Sequence, residues 1–221
     1  MTQHTNNNPI GILGGTFNPI HHGHLRLALE LYERLDLAKV LLIPLAHPPH
    51  RAPPSVSEQR RLEMVRAAVR GVEGLSVDDR EVRRQGISYT VDTLDSLREE
   101  YPHRPLCLIL GMDAFLGLPS WHEWERLITL THLLVVRRPD TPTKIPEKHL
   151  MQKFFYKYQA LSTEHFKKQT AGMIWMEEIP ALAISATQIR DLIATGKNPH
   201  YLLPPAALDI INTHHLYNCE L

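Results

Sequence analysis

Glycines and histidines crowd one short stretch near the start of the chain, GILGGTFNPIHHGH, which ends at His24. Gly14 and Gly15 have no Cβ, so a ligand can approach the backbone closely there. A helix is predicted to begin near Gly23 or His24, and a helix N-terminus attracts anions through its unpaired N–H groups and its dipole. His21 and His24 flank this point and can donate hydrogen bonds to phosphate oxygens. The stretch therefore predicts a phosphate-binding loop.

Two other interpretations of these histidines stay open. A metal ion could bind His21, His22 and His24, but no cysteine or carboxylate close in sequence completes a ligand set. Alternatively, the glycines could serve a tight turn, with the histidines there by chance. A dinucleotide-binding loop is not favoured, because the stretch does not follow G-x-G-x-x-G and the chain has no G-x-x-x-x-G-K-[ST] pattern.

A second possible anion site lies far along the chain, in ISATQIRDLIATG (Ile184–Gly196). Ser185 stands where a helix N-cap is expected, Thr187 falls in the first turn, and Arg190 lies three residues further on. A guanidinium can hold a phosphate through two hydrogen bonds, and the cap adds hydroxyl and N–H donors. Alone, this pattern is more typical of ordinary helix capping.

Short apolar runs and amphipathic segments alternate along the chain. Runs of this kind, bounded by glycine, proline or charged residues, are typical of buried parallel strands. Six strands are predicted, at Ile10–Leu13, Val40–Pro44, Leu75–Asp79, Leu106–Leu110, Leu133–Val136 and Met173–Met176. Apolar positions spaced as on one helix face, together with helix-end signals, predict helices at His24–Leu35, Ser57–Arg70, Val91–Tyr101 and Thr187–Ala194.

This alternation predicts an α/β fold, with a Rossmann-like, doubly wound, mostly parallel sheet flanked by helices. We expect a single domain over residues 1–221, with a small helical C-terminal part at about 185–221. The lysine-rich segment at about 141–171 is expected to be a peripheral helical hairpin, and Leu45–Ser55 a long, proline-rich ordered loop. Such sheets bind ligands beyond the carboxyl ends of their strands, so site residues are expected in the loops that follow strands.

Charge and composition narrow the class of protein. The 221 residues include 24 Lys and Arg against 24 Asp and Glu, so the net charge favours neither a nucleic-acid partner nor a membrane surface. No apolar run is long enough for a membrane span and no secretory signal is visible, so we expect a cytosolic protein. Cys107 and Cys219 are too few for a disulfide framework or a zinc cage, and Cys107 is expected in the core.

Taken together, the two motifs and the stretches between them resemble the bacterial nicotinate-nucleotide adenylyltransferases of the nucleotidyltransferase superfamily. Their nucleotide-binding signature looks like GGTFNPIHHGHL. The further stretches follow in the family's order: HPPHR, SEQRRLEMV, DDREVRRQGISYTVDTL, LILGMDAFLGLPSWHEW, LLVVRRP and ISATQIRDLI. The resemblance covers nearly the whole chain, with little of it in residues 141–171, and so many ordered motifs are far more specific than either short one.

The resemblance implies transfer of the adenylyl group of ATP to nicotinate mononucleotide, giving nicotinate adenine dinucleotide and pyrophosphate in NAD biosynthesis. Catalysis would then fall to His21, His24 and Arg190, with Arg190 also gripping the departing pyrophosphate. Asp113 would accept from the adenosine ribose, although it could instead cap a helix. The positions that match the family's ATP-binding residues are Gly14, Gly15, Thr16, Phe17, Gly111, Asp113, Ser185 and Thr187.

By the same resemblance, nicotinate mononucleotide would lie against Arg51, Thr90, Trp121 and His122. Arg51 would pair with its phosphate, and backbone N–H groups around His122 would receive its carboxylate. Trp121 would offer an aromatic face to the cationic pyridine ring, with core packing as its alternative. Mg²⁺ is implied as the cofactor, carried by the substrate phosphates and bound by no residue of the chain.

The chain departs from the family's pattern in places. Asn18 stands where Asp is frequent, Ala186 replaces a frequent Ser, Arg51 takes the place of a lysine, and His122 that of a common tyrosine. None of these changes removes a charge on which the reaction depends. Nicotinamide mononucleotide is the rival substrate hardest to exclude, since it differs by one negative charge. A nucleotide-binding regulator without activity, or a histidine-based metal-binding protein, also stays open.

Overall fold

The computed structural model describes residues 7–47, 54–84, 86–137, 145–147, 149–180 and 182–218. The strands are β1 (Ile10–Gly15), β2 (Lys39–Pro44), β3 (Leu75–Val77), β4 (Leu106–Gly111), β5 (His132–Arg137) and β6 (Ile174–Glu178). They form one six-stranded sheet in the order β3-β2-β1-β4-β5-β6. All six predicted strands are confirmed, with ends within two residues of the prediction.

Neighbouring strands are parallel wherever their register is described. Ile10 of β1 pairs with Leu106 of β4. Leu133 of β5 pairs with Leu108 of β4 and with Ile174 of β6. β4 and β5 are buried almost throughout, as expected for strands of a sheet covered on both faces, which explains their unbroken apolar runs. Because the strand order changes direction at β1, the sheet is doubly wound, and the predicted Rossmann-like α/β fold is confirmed.

The helices include all four that the sequence predicts, now α1, α2, α4 and α9. α1 begins at His22, slightly before the predicted start near Gly23 or His24. The short α5 and α6 were not predicted, because six or seven residues hold too few turns to show helical periodicity. The helices are α1 (His22–Arg34), α2 (Glu58–Val69), α3 (Arg80–Arg83), α4 (Thr90–Glu100), α5 (Met112–Gly117), α6 (Trp124–Leu130), α7 (Leu150–Tyr158), α8 (His165–Lys168), α9 (Ala186–Ala194) and α10 (Pro205–Thr213).

Local signals set the ends of two helices. The Ser57 hydroxyl accepts a hydrogen bond from the backbone N–H of Arg60 and so caps α2. Gly196, with φ of +68°, takes the left-handed conformation just after α9, where a glycine carries no Cβ penalty. Both ends agree with the prediction from the sequence.

The chain divides into two compact units. The first comprises Met1–Leu13, Glu30–Val40 and Tyr89–Pro180. It contains β4 and β5, and its core includes the fully buried thiol of Cys107, as predicted.

The second unit comprises Gly14–Leu29, Leu41–Ser88 and Ala181–Leu221. In it, α10 packs against α2, and Met64 and Ile211 are buried. The single domain expected from the sequence stays a prediction.

Two segments with unusual composition are described in part. The lysine-rich segment contains α7 and α8, with Met151, Phe155 and Phe166 buried, while residues 138–144 and 148 lie outside the described ranges. Of the proline-rich loop, residues 45–47 and 54–55 are described and contain neither helix nor strand. No helix within the described ranges is long and apolar enough to cross a membrane.

Candidate active site

The two histidines of the first motif stack on each other at the start of α1. The ring centroids of His21 and His24 lie 3.7 Å apart, with 25° between the ring planes. Phe17 meets the His24 ring edge-on, at 5.1 Å between centroids. The backbone N–H of His24 donates to the His21 carbonyl at 3.0 Å, so the turn that opens α1 sets the spacing of the two rings. The structure thus brings together the two histidines that the sequence singles out.

Glycines leave the space that this arrangement needs. A Cβ added to Gly23 would lie 3.0 Å from Nδ1 and 3.1 Å from Cε1 of His21, tighter than ordinary contact. A Cβ added to Gly15 would lie 2.8 Å from the Phe17 ring, so a larger residue would displace that ring. Gly14 is exposed at the end of β1, where a ligand can approach the backbone.

The His24 ring is neutral near neutral pH. Burial lowers its pKa to about 3, and the neighbouring His21 acts in the same direction. Part of the side chain is exposed, but its Nδ1 is buried and has no hydrogen-bond partner among the described residues. A neutral imidazole keeps one N–H donor, so His24 can donate one hydrogen bond to an anion. An anion beside it would favour the charged ring and raise the pKa.

The second motif joins the first within the second unit. As predicted, Ser185 caps α9, because its hydroxyl accepts the backbone N–H of Gln188 at 3.1 Å. Arg190 donates from Nη2 to the Thr187 hydroxyl at 3.2 Å and from Nη1 to the Asn18 carbonyl at 2.8 Å. Asn18 belongs to the loop of the first motif, so this bond links two regions that are far apart in sequence.

Two residues that the sequence analysis missed hold the same loop. Arg61 of α2 is fully buried and donates to three backbone carbonyls, including Thr16 at 2.6 Å and Ala46 at 3.2 Å. No carboxylate in the described part of the chain forms an ion pair with Arg61, and burial lowers its pKa. The Tyr217 hydroxyl donates to Asn18 Oδ1 at 2.7 Å. Neither contact has a signal in local sequence spacing, since both partners are distant in the chain.

Gly111 and Asp113 follow β4 in the first unit. Gly111 is the N-cap of α5, and a Cβ added to it would meet nothing within 4 Å. Asp113 lies exposed in the first turn of α5, where its carboxylate can accept hydrogen bonds from a ligand. Because Gly111 holds the cap position, the alternative in which Asp113 caps this helix is wrong.

The remaining predicted residues of the first unit surround the starts of α4 and α6. The rings of Tyr89 and His122 lie 4.4 Å apart with 35° between planes, and Thr90 opens α4 directly after Tyr89. Trp121 is partly exposed, which does not favour the core-packing alternative. Glu123 adopts a left-handed conformation with φ of 47°, and its N–H and that of His122 have no partner among the described residues. Tyr89 was not singled out from the sequence, although it lies within the stretch DDREVRRQGISYTVDTL that resembles the family.

The last two predictions concern Arg51 and the Mg²⁺ ion. Arg51 lies outside the described ranges. Within those ranges, no three His, Cys, Asp or Glu side chains gather closely enough to hold a metal ion. The side chains described around the two motifs offer hydroxyl, imidazole and guanidinium groups, which suit phosphate oxygens better than a bare Mg²⁺ ion.

Known proteins share the sequence pattern and the fold of this chain. Residues 12–192 match the family described as cytidylyltransferase-like. A Pseudomonas entomophila protein named "Probable nicotinate-nucleotide adenylyltransferase" is 50% identical over 212 residues, covering 96% of this chain and 95% of its own length. A protein of the same name from Aeromonas salmonicida is 44% identical over 216 residues, covering 96% and 98%.

A solved structure shares the fold. It is the Plasmodium falciparum nicotinic acid mononucleotide adenylyltransferase complexed with NaAD, with a TM-score of 0.71 and 18% sequence identity. The superposition covers 95% of this chain and 97% of that one. The family match covers most of both motifs, and the two bacterial relatives extend the likeness over nearly the whole chain. The chain therefore belongs to the cytidylyltransferase-like family and, within it, to the nicotinate-nucleotide adenylyltransferases.

Proposed function

We propose that the chain transfers the adenylyl group of ATP to nicotinate mononucleotide, forming nicotinate adenine dinucleotide and pyrophosphate as a step of NAD biosynthesis. The observation that carries the proposal is the junction of the two anion motifs, where Arg190 donates to the Asn18 carbonyl at 2.8 Å. Relatives that are 44% and 50% identical bear the name of this activity. We expect a single-domain protein that works in the cytosol.

The reaction depends on positioning more than on proton transfer. A phosphate oxygen of the mononucleotide attacks the α-phosphorus of ATP. The bond from that phosphorus to the oxygen bridging to the β-phosphate breaks, and pyrophosphate leaves with the electron pair. The attacking oxygen is already ionised near neutral pH, so no general base has to accept a proton. Rate acceleration then comes from in-line alignment and from stabilising negative charge as it moves to the leaving group.

His21 and His24 would act on the ATP phosphates as hydrogen-bond donors. Their stacked rings are already fixed in position, so little reorganisation is needed as charge develops. His24 starts as a neutral donor, and bound phosphates would raise its pKa and add charge pairing. The loop that would carry the nucleotide on its backbone consists of Gly14, Gly15, Thr16 and Phe17.

The second motif would hold the departing pyrophosphate. Ser185 and Thr187 are exposed hydroxyl residues at the start of α9, and Arg190 supplies a guanidinium that can hold a phosphate through two hydrogen bonds. Gly111 and Asp113 would serve the adenosine, with the exposed Asp113 carboxylate accepting from the ribose hydroxyls.

Nicotinate mononucleotide would be recognised by Thr90, Trp121 and His122, with Arg51 on its phosphate. The N–H groups of His122 and Glu123 support a role in binding the nicotinate carboxylate, since both lack a partner in the described part of the chain. The amide of nicotinamide brings N–H groups of its own and no charge, so it matches such donors less well.

Mg²⁺ would be carried by the substrate phosphates, because this ion keeps several waters and is often bound through phosphates. When bound, it would offset the negative charge of the triphosphate. The described residues offer no cluster of three metal-ligating side chains, so we assign it no protein ligand.

The experiment that tests the function is pyrophosphate release from ATP and Mg²⁺, with nicotinate and nicotinamide mononucleotide in parallel reactions. Release with the acid form far above that with the amide form is the expected result. Faster release with the amide form would keep the phosphate chemistry and overturn the proposed carboxylate site. Release with neither would overturn the proposed reaction and favour a nucleotide-binding regulator, and metal analysis of the same preparation would test the histidine-based metal alternative.

A further inference from the structure

We propose that Tyr217, in the segment after α10, is a positioning residue for Arg190 that acts through Asn18. The inference rests on the proposed function, because it gives Arg190 the task of holding pyrophosphate. It adds a residue outside both phosphate motifs to the machinery of the site.

Among the described residues, only neutral groups hydrogen-bond to the Arg190 guanidinium. Its described partners are the Asn18 carbonyl at 2.8 Å and the Thr187 hydroxyl at 3.2 Å, and no carboxylate in the described ranges pairs with it. A guanidinium has five N–H donors in a rigid fork, so two such bonds fix its plane and leave donors for a ligand. If the Asn18 carbonyl moves, the plane of the fork moves with it.

Asn18 is held from both of its ends. Its carbonyl accepts from Arg190, and its side-chain Oδ1 accepts from the Tyr217 hydroxyl at 2.7 Å. These two hydrogen bonds link Tyr217, Asn18 and Arg190 into one chain. All three residues belong to the second unit. The Tyr217 bond restrains the Asn18 side chain and thereby the carbonyl on which Arg190 depends.

The segment after α10 adopts an unusual backbone to deliver this hydroxyl. α10 ends with the N–H of Leu216 donating to the Ile211 carbonyl at 3.0 Å, around His215 in a left-handed conformation with φ of 49°. Tyr217 is left-handed as well, with φ of 66°. Non-glycine residues seldom adopt this conformation, and surrounding contacts have to hold them there.

The Tyr217 hydroxyl stays protonated, as a donor must. Burial raises the pKa of Tyr217, and the nearby guanidinium groups of Arg190 and Arg61 only partly oppose this shift. The hydroxyl is therefore neutral across the ordinary working range and can donate to Asn18 Oδ1 throughout it.

The test uses Tyr217→Phe, which removes the hydroxyl and keeps the ring. In the reverse reaction, from nicotinate adenine dinucleotide and pyrophosphate, we expect KM for pyrophosphate to rise about three- to tenfold, the worth of one hydrogen bond. KM for the dinucleotide should change far less. Tyr201→Phe is the matched control, since Tyr201 is 91% exposed and its hydroxyl has no described partner. An unchanged KM for pyrophosphate, or an equal rise for both substrates, would overturn the proposal.

Asn18→Ala separates positioning from general stability. If Tyr217 acts through the Asn18 side chain, Tyr217→Phe should add little to KM for pyrophosphate once Asn18 is alanine. Full additivity, or a loss of Tm in Tyr217→Phe with no change of KM, would overturn the proposal. If the wild-type protein shows no turnover, the proposed function fails, and titration of inorganic pyrophosphate into both proteins decides the positioning role. Weaker binding to Tyr217→Phe supports that role, and equal or undetectable binding to both proteins overturns it.

Discussion

Two histidines with buried ring nitrogens, His24 and His132, share one electrostatic signature in different surroundings. Burial lowers the pKa of His24 to about 3 and that of His132 to about 4. In both rings, Nδ1 has no hydrogen-bond partner among the described residues. His24 follows the carboxyl end of β1 and stacks on another histidine, whereas His132 opens β5 and stacks on Phe166 with 4.7 Å between centroids.

The neighbours of His132 are those of a structural residue. It is fully buried, and its Nε2 lies 3.0 Å from the Gln169 carbonyl. The charge of Arg98 helps lower the pKa of His132. The Arg98 guanidinium donates hydrogen bonds to backbone carbonyls, including Leu130 at 2.6 Å and Thr170 at 2.8 Å. A depressed histidine pKa alone therefore does not mark a functional site, and the groups around the ring decide its use.

The largest expected effect is on turnover in His24→Ala. Removing a preorganised donor to the phosphates should lower kcat about 10²- to 10³-fold while the protein stays folded. Pyrophosphate release gives kcat, and a thermal melt followed by circular dichroism checks the fold.

The matched control for that variant is His22→Ala in the same motif. The described bond of His22 is made by its backbone N–H, to the Leu202 carbonyl at 3.0 Å, and alanine keeps that donor. Activity close to wild type is expected. If His22→Ala lost as much turnover as His24→Ala, the loss would reflect the fold of the motif rather than the His24 ring.

The converse is expected for His132→Ala, in stability rather than turnover. Loss of a fully buried ring and its hydrogen bond should reduce the free energy of unfolding by about 2–4 kcal/mol. Urea unfolding measures this change, and kcat of the folded protein should be nearly unchanged. A fall in kcat comparable to that of His24→Ala would erase the distinction between the two histidines.

The sheet could be predicted because its strands are short apolar runs bounded by glycine, proline or charged residues, as in Val40–Pro44 and Leu106–Leu110. The start of α1 was placed late, since its first turn, His22–His24, holds two histidines and a glycine and shows no apolar stripe. The short helices around Trp121 were missed for a related reason: too few turns to show a period.

The candidate site likewise contains residues that local spacing suggests and residues that it does not. Local spacing singled out His21 and His24 as candidates, whereas Ser185, Thr187 and Arg190 gained weight only together with the first motif, because their spacing alone is typical of helix capping. Arg61 and Tyr217 could not be found, because their bonds to Thr16 and Asn18 span 45 and 199 positions of the chain. His132 merely borders a predicted strand, and nothing in the sequence distinguishes its burial from that of its apolar neighbours.

A smaller effect is expected in how the stability of the protein depends on pH. The pKa of His132 is about 4 in the fold against 6.5 ordinarily, so the unfolded chain binds more protons between these values. The free energy of unfolding should rise with pH across that window and fall as the pH drops through it. His132→Ala removes the group that binds a proton in the unfolded chain but not in the fold. The slope of the free energy of unfolding against pH should therefore fall by up to about 1.4 kcal/mol per pH unit.

Pyrophosphate distinguishes the two histidines in the same measurement. An anion beside His24 should raise its pKa and remove its share of the slope, whereas His132 should not respond. Urea unfolding at several pH values, with and without inorganic pyrophosphate, gives both slopes. In His132→Ala, which keeps His24, pyrophosphate should flatten the dependence of the free energy of unfolding on pH. In His24→Ala, which keeps His132, pyrophosphate should not flatten it through a change in a histidine pKa. The opposite pattern would mean that the anion acts near His132.

The smallest expected effect concerns the stack itself, in Gly23→Ala. The new Cβ would press on the His21 ring at 3.0 Å and shift it by a few tenths of an ångström relative to His24. A shift of this size should loosen ATP binding, with KM for ATP rising about three- to tenfold, close to the loss of one good hydrogen bond. Gly117→Ala is the control, because a Cβ there meets nothing within 4 Å. If both variants kept the wild-type KM, the spacing of the His21 and His24 rings would not be a determinant of ATP binding, and the contrast with His132 would rest on His24 alone.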